Sequence, residues 1–289
     1  MKHIALKSAV ACAIVLASYS CDEASSILDG LTEDSEVATG LKSALSVGID
    51  TAASRLSKRG GYLNDIAVKI GMPEEAATAF TAVQKLSQNE TFSKVLDATN
   101  SSIPDENTFI NLFNTSAEEA APQSVGIFKD AITGMTINDA ESILFGADNA
   151  ATAYLQTNTE TRLQGAFHKP ITETLNSVQV AGFTTTKAWK SFATYNNKLA
   201  DFKAKNADKI DLALKIASAT GVVTSAQANS INSIQPVTDD LSDYITGRAL
   251  DGLFYKVADQ ELQIRTNVNA RVNDVLRKVF GRLDAKKQS

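Results

Sequence analysis

Apolar residues at helical spacing are the feature that most constrains the fold of this chain. One helical face carries Val37, Leu41, Leu45, Gly48, Ala52 and Leu56. Near the C-terminus, another carries Val272, Val275, Leu276, Val279, Phe280 and Leu283. No segment keeps the strict alternation of a half-buried strand. The pattern therefore predicts an all-α, multi-helix bundle of roughly 9–11 helices with no substantial sheet.

The same pattern predicts one helical domain over residues 31–283. Two stretches interrupt it: a polar insertion near 88–106, rich in Asn, Ser and Thr, and a weakly patterned insertion near 200–236. We expect residues 22–30 to form a tether and residues 284–289 to form a tail. A chain of this length can bury about three quarters of its unfolded surface, enough for one large core.

The first 21 residues have the layout of a bacterial export signal. Lys2 and Lys7 supply positive charge, and residues 8–18 form an apolar run. That run is roughly half as long as a membrane span, and Cys21 follows it. We expect cleavage before Cys21 and attachment of a lipid to its thiol. The protein is then predicted to face the periplasm in the bacterial cell envelope, anchored by that lipid and without a transmembrane helix.

An ordinary cleaved signal with an incidental cysteine is the alternative. Tyr19 is bulky for a lipidation site, and Leu16 lies two positions early. In that case the protein is secreted to the periplasm. The chain has two cysteines. Cys12 lies within the signal, so the processed chain keeps only Cys21 and forms no intramolecular disulfide.

Net charge restricts the partners. Without Lys2 and Lys7, the chain has 26 basic and 33 acidic residues, a formal charge of −7. An acidic surface repels nucleic-acid phosphates and anionic lipid head groups. We therefore expect no nucleic-acid partner and membrane contact through the N-terminal lipid only, while a protein partner in the envelope stays open.

Residue types that carry catalysis are scarce in the sequence. His168 is the only histidine beyond the signal, which excludes His-pair zinc motifs. We interpret it as a surface or kink-supporting residue beside Pro170. The acids at Asp148 and at 239–243 fit helix caps better than a calcium loop. The sequence thus predicts no catalytic residue, no metal and no cofactor.

A polar cluster stands out on the helix predicted over 239–265. Apolar residues surround most of this helix, which should make it central. They are Leu241, Ile245, Ala249, Leu250, Leu253, Phe254 and Val257. Four polar residues lie within or beside that stripe: Tyr244, Arg248, Asp251 and Lys256.

The cluster has two interpretations. In one, it forms a polar pocket in which Arg248 holds an anionic ligand. In the other, which we favour, Arg248 forms an internal ion pair with Asp251, and the Lys256 stem extends outward. No nucleophile or base accompanies these residues. Gly247 and Gly252 would each admit a close helix neighbour.

Four segments carry a family resemblance. They are LTEDSEVATGLKSALSVGID from Leu31, MTINDAESILFGADNAATAYL from Met135, DYITGRALDGLFYKVADQE from Asp243 and VNDVLRKVFG from Val272. With the helices between them, they resemble an exported bacterial family catalogued as domain of unknown function 4197. The resemblance covers most of residues 31–283. It implies an exported helical domain and supplies no catalytic residues.

Two functions from different classes follow. The leading one is a non-enzymatic envelope lipoprotein that binds a protein partner or a small ligand through a groove between helices. The alternative is an envelope hydrolase or transferase that uses carboxylates such as Asp139, Glu141 or Asp243. Convergence of two of these carboxylates in one cleft would favour the enzyme.

Overall fold

A computed structural model of the protein describes residues 21–87, 105–180, 183–271 and 274–288. These residues form eleven α-helices, two short 3-10 segments and a hairpin of two-residue strands, β1 (Gln179–Val180) and β2 (Phe183–Thr184). The helices are α1 (Cys21–Leu56), α2 (Glu74–Ser87), α3 (Glu106–Ala120), α4 (Ser124–Gly134), α5 (Ile137–Leu144), α6 (Ala150–Ser177), α7 (Thr185–Lys205), α8 (Ala207–Ala219), α9 (Ser225–Asn232), α10 (Ser242–Thr266) and α11 (Asp274–Gln288). The predicted all-α bundle is confirmed.

Helices α6 and α10 form the centre of the molecule. Glu261 in the last turns of α10 contacts Ala151 at the start of α6, whereas Asp243 at the start of α10 lies beside His168. The two helices are therefore antiparallel. Helix α1 packs against α4, α5, α10 and α11, and α3, α4, α5 and α7 pack around α6. The apolar stripe predicted on α10 is buried at all seven positions, Leu241, Ile245, Ala249, Leu250, Leu253, Phe254 and Val257.

Local caps set several helix starts. The Thr136 hydroxyl accepts a hydrogen bond from the Asp139 N–H (3.1 Å), and the Asp139 carboxylate accepts one from the Thr136 N–H (2.9 Å). This reciprocal pair of hydrogen bonds is a capping box at the start of α5. The cap expected from Asp148 is wrong, because α6 begins one residue after Asn149 and is capped from another helix, at Glu261.

The chain is helical beyond the limits that its pattern suggested. Helix α1 begins at Cys21, so residues 22–30, expected to be a tether, are helical. Helix α11 runs to Gln288, through most of the expected tail. A continuous helix keeps its backbone hydrogen bonds even where few side chains are buried. The expected insertion near 88–106 lies outside the described residues as far as position 104.

The insertion expected near 200–236 contains the end of α7 and all of α8 and α9. A second capping box, formed by Thr224 and Gln227, starts α9. Helix α9 packs on α2, and a small cluster of Ala82, Ala200 and Ile234 joins this region to the body. Helix α8 has no buried residue along its fully described length. We call α7, α8 and α9 together the arm.

Candidate functional site

The four residues of the predicted polar cluster do not meet in one pocket. Arg248 Nη1 lies 3.1 Å from Asp251 Oδ2, but the two side chains are 54% and 68% exposed. The Tyr244 hydroxyl instead donates to the Gly71 carbonyl oxygen (3.1 Å). The pair between Arg248 and Asp251 is therefore real, and the prediction that it is internal is wrong. A three-residue separation places both side chains on one face of α10, and that face is turned to solvent.

Lys256 forms an ion pair with a residue of a different segment. Its ammonium pairs with Asp65, in the turns between α1 and α2, and the lysine side chain is only 16% exposed. The Lys256 hydrogen bond holds the pKa of the Asp65 carboxyl below its usual range, against the opposing effect of burial. This residue therefore fastens the 57–73 connection to α10 rather than extending into solvent.

Buried polar contacts fix the same connection more deeply. Tyr62 is fully buried, and its hydroxyl donates to the Ala249 carbonyl oxygen (2.8 Å). Burial, reinforced by the charge of Glu118, raises the pKa of the Tyr62 hydroxyl. The Tyr62 N–H donates to Glu118 on α3 (3.3 Å). The close approach uses Gly252, since a Cβ there would lie 2.9 Å from Tyr62 Cε1. Gly252 thus admits a close neighbour, but that neighbour is the 57–73 connection and not the helix that the sequence predicted. The prediction for Gly247 is wrong, since it has open space around it among the described residues.

The carboxylates of the enzymatic alternative are separated. Asp139 and Glu141 lie on α5, and Asp139 is engaged in its capping box. Asp243 lies 3.4 Å from His168 Nε2 at the other end of α10. Helix α5 lies at the opposite end of α10, where the Ile143 carbonyl contacts Arg265. Arg265 and Asp243 are separated by about 33 Å along α10, at 1.5 Å per residue. These carboxylates do not converge in one cleft.

Sequence reasoning missed a buried carboxylate, Glu261. It accepts hydrogen bonds from the N–H groups of Ala151 (2.9 Å) and Thr152 (2.8 Å) and from the Thr152 hydroxyl (2.8 Å). The two N–H groups belong to the first turn of α6 and have no partner within their own helix. The negative charge also faces the positive end of the helix dipole. Glu261 thus caps α6 from α10, which explains why Asp148 is not needed there.

Arg265 completes this buried cluster. Its guanidinium donates to Glu261 Oε1 (2.9 and 2.8 Å) and to the carbonyl oxygens of Ile143 (2.7 Å) and Leu144 (3.0 Å). The last carbonyls of α5 and the first N–H groups of α6 are therefore held by one pair of side chains. The four-residue spacing of Glu261 and Arg265 was the available signal, but the same spacing occurs in surface pairs.

Arg271 positions the last helix. It is buried, and it donates to the Ile264 carbonyl oxygen (3.0 Å) and to both carboxylate oxygens of Asp284 on α11. This bidentate contact fixes α11 relative to the end of α10. Gly40 permits the approach of α11 to α1, because a Cβ at that position would overlap Val279.

A groove between α1 and α11 is the best candidate for a binding site. Its volume is about 320 Å³, within the range of small-molecule pockets. Valines form its floor, hydroxyl residues line its side and charged residues form its rim: Val37, Val275 and Val279; Ser35 and Thr39; Glu36, Lys278 and Arg282. Of the floor residues, Val275 is 44% exposed, so the apolar surface is open to a ligand.

Charged side chains form the rim of this groove. Lys278 pairs with Glu36, and its hydrogen bond holds the pKa of the Glu36 carboxyl below the usual range, with a further contribution from Arg282. The groove therefore combines an apolar floor with a rim that contains two cations and one carboxylate.

In the parts of the chain that the structure describes, no three His, Cys, Asp or Glu side chains are grouped to hold a metal ion. Across those ranges, none of the helices has the length and apolar character to cross a membrane. Cys21, the predicted lipidation site, is the first residue of α1.

Comparison with known proteins gives one match. Residues 31–281 match the profile of a family described as "Protein of unknown function (DUF4197)". Neither the curated protein sequences nor the solved structures contain a significant match. The match spans all four segments that carry the sequence resemblance.

Proposed function

We propose, from the premise that this chain belongs to the DUF4197 family of proteins of unknown function, that it is an exported bacterial lipoprotein. Lipid on Cys21 anchors it in the envelope, and the α1–α11 groove binds an apolar ligand that carries one anionic group. It acts by binding and not by catalysis. The observation that carries the proposal is the valine floor beneath two rim cations, on a chain whose net charge is negative.

The ligand class follows from the two surfaces of the groove. Transfer of apolar surface from water onto the valine floor contributes about 25 cal/mol per Å². Arg282 and Lys278 on the rim favour a negative head group, and Lys278 also pairs with Glu36. A long-chain carboxylate has both properties. A neutral alcohol or a cationic amphiphile of the same length has only the first.

The position of the groove supports its link to the anchor. Helix α1 runs without interruption from Cys21 to Ser35 at the groove, about 21 Å at 1.5 Å per residue. Glu36 lies beside Lys278, whereas Gly40 lies beside Val275 and Val279. Helix α11 therefore runs towards the Cys21 end of α1. An anchored protein would hold the groove near the membrane, where amphiphilic molecules are concentrated.

Displacement of a fluorescent fatty acid tests the ligand. Dansylaminoundecanoic acid should bind the purified protein, and palmitate should displace it, whereas hexadecanol and hexadecyltrimethylammonium should not. Val275→Trp, which fills the groove, and Arg282→Glu, which reverses a rim charge, should each weaken binding about tenfold or more.

Matched variants outside the groove control for this experiment. Val268→Trp places the same ring at a valine that is 58% exposed away from the groove. Arg277→Glu reverses a charge that pairs with Asp274 on α11. Both should leave the dissociation constant within about twofold. Equal displacement by the three amphiphiles, or equal losses in the control variants, would reject the groove as the site.

Fractionation tests the anchor separately. Cys21→Ala should move the protein from membranes to the soluble fraction, or leave it with an uncleaved signal. Mass spectrometry of the wild-type N-terminus should find a lipid on Cys21. Unchanged membrane association together with an unmodified cysteine would reject the anchor without affecting the groove.

A further inference from the structure

The arm differs in charge from the rest of the molecule. Residues 185–232 contain seven lysines and three aspartates, with no arginine or glutamate, so their formal charge is +4. The whole chain has a formal charge of −5, which leaves −9 on the remaining residues. The arm therefore carries net positive charge on a chain whose net charge is negative, and it lies outside the groove described above.

The lysines of α7 form an ordered face. Lys187, Lys190, Thr194, Lys198 and Phe202 are separated by three or four residues, and all five are exposed. This spacing places them along one side of a helix, over about 22 Å from first to last. A shallow concavity of about 430 Å³ lies between the lysine side chains. Asp239 lies 4.0 Å from Lys190, and Asp201 pairs with Lys205.

Exposed apolar residues lie at the end of this face and on the next helix, α8. Phe202, Leu212, Ile216 and Val222 are each more than half exposed. Leu212 and Ile216 are one turn apart on α8, a helix that has no buried residue. Large apolar side chains grouped on one element, beside a charged stripe, are typical of an interaction surface.

We propose that the exposed face of α7 and α8 docks an acidic amphipathic helix of a partner protein. The lysines face the carboxylates of that helix, and Phe202, Leu212 and Ile216 receive its apolar side chains. The stripe length of about 22 Å corresponds to a helix of about 15 residues, laid along the surface with apolar anchors at three- and four-residue spacing.

An anionic membrane fits this surface less well than a protein helix. Helices that lie on membranes have a strongly basic polar face. On α8, Asp208 and Asp211 balance Lys209 and Lys215, and Asp211 pairs with Lys215 at 2.7 Å. The helix with the apolar residues therefore has no net charge, and the positive charge is on α7.

Fluorescence anisotropy with a defined peptide tests the proposal. The probe is a labelled helical peptide of about 18 residues, with Leu on one face and Glu on the other. It should bind the purified protein saturably, and more weakly at high salt. Peptides with Lys in place of Glu, or with the same residues in scrambled order, should not bind.

Variants of the protein locate the binding. The triple variant Lys187→Glu, Lys190→Glu and Lys198→Glu should weaken peptide binding about tenfold or more, as should Leu212→Ser with Ile216→Ser. The matched control changes three exposed lysines of the body, Lys58→Glu, Lys69→Glu and Lys169→Glu, and should change the dissociation constant less than twofold. All six changed lysines are at the surface, so circular dichroism should report intact helices.

Four outcomes would overturn the proposal. They are no saturable binding of the Leu–Glu peptide, equal binding of the scrambled peptide, and equal losses in the α7 and control triples. The fourth is a different occupant: phosphatidylglycerol vesicles, or a second copy seen by sedimentation velocity, bound through the α7 lysines in place of the peptide. Loss of fatty-acid binding at the groove would leave this result unaffected, because the two surfaces share no residue.

Discussion

Two arginine–carboxylate pairs on α10 have similar spacing and opposite surroundings. Arg248 and Asp251, three residues apart, are 54% and 68% exposed. Arg265 and Glu261, four residues apart, are 1% and 4% exposed. Within the described residues, the side chains of the outer pair hydrogen-bond to each other, whereas the inner pair also binds the end of α5 and the start of α6. Spacing along a helix predicts that two side chains meet, but burial decides how much the contact contributes.

Exposure to solvent explains why the two ion pairs contribute differently to stability. At the surface, solvent screens the pair and offers each charge an alternative partner, so such pairs contribute about 0–1 kcal/mol. Inside, a charge that loses its partner has no substitute, and the cost of breaking the pair is about 3–5 kcal/mol. Lys256 on the same helix and Asp65 in the 57–73 connection form an intermediate case, at 16% and 35% exposure.

The largest effect should come from breaking the inner pair. Arg265→Met leaves Glu261 buried without its cation, and the carbonyls of Ile143 and Leu144 without donors. We expect the free energy of unfolding to fall by about 3–5 kcal/mol in urea denaturation. Arg265→Lys keeps the charge but not the planar fork, and should recover only part of the loss. A fall below about 1 kcal/mol for Arg265→Met would make the two pairs equivalent.

A glycine pair on α10 sharpens the contrast between its two sides. Gly252→Ala brings a Cβ within 2.9 Å of Tyr62 and 3.1 Å of Val68, both buried. It should destabilise the protein by about 1–3 kcal/mol. Gly247→Ala, on the exposed side, should stabilise it by up to about 1 kcal/mol because alanine favours the helix. Thermal melts of both variants should therefore shift in opposite directions, and shifts of one sign would contradict this account.

The intermediate pair predicts a pH dependence. Because Lys256 lowers the folded pKa of Asp65 below its unfolded value, near 4, the pair stabilises the protein fully above that pH. The contribution is lost as the pH falls through the folded pKa. Asp65→Asn should lower stability at pH 7, by less than Arg265→Met does. The difference from wild type should shrink below about pH 4 in denaturation curves, and a difference that persists at pH 2 would exclude this explanation.

The smallest effect should come from the outer pair. Arg248→Met should change the free energy of unfolding by about 1 kcal/mol or less, since both side chains are mostly solvated. An internal pair, as the sequence suggested, would cost a few kcal/mol. Urea denaturation beside Arg265→Met gives the direct comparison, and similar losses in the two variants would show that exposure does not control the effect.

Helix identity could be predicted well because it depends on local pattern. The stripe of α10 is buried as expected, and the capping box of Thr136 and Asp139 joins residues three positions apart. Both are set by residues within one or two turns of each other. Helix limits were less predictable at Cys21 and Gln288, because helices can continue past the residues that pack against the core.

The candidate sites depended on contacts that are distant in sequence. Glu261 caps a helix that begins 111 positions earlier, at Ala150. The groove joins Glu36 to Lys278, which are 242 positions apart. Nothing in the neighbourhood of any of these residues distinguishes them from ordinary surface acids and bases. Periodicity gives the face of a helix but not the identity of the element that covers it.

The sequence by itself determined that this chain is a helical bundle with α10 at its centre, and that the arm carries net positive charge. These properties depend on residue type and spacing, which the chain carries in one dimension. The tertiary structure decided which charges are buried, which glycine admits a neighbour and where a groove opens. Those properties depend on the packing of helices that are distant in sequence. The element packed against a helix face determines which side chains are buried, and burial determines the strength of every charged contact.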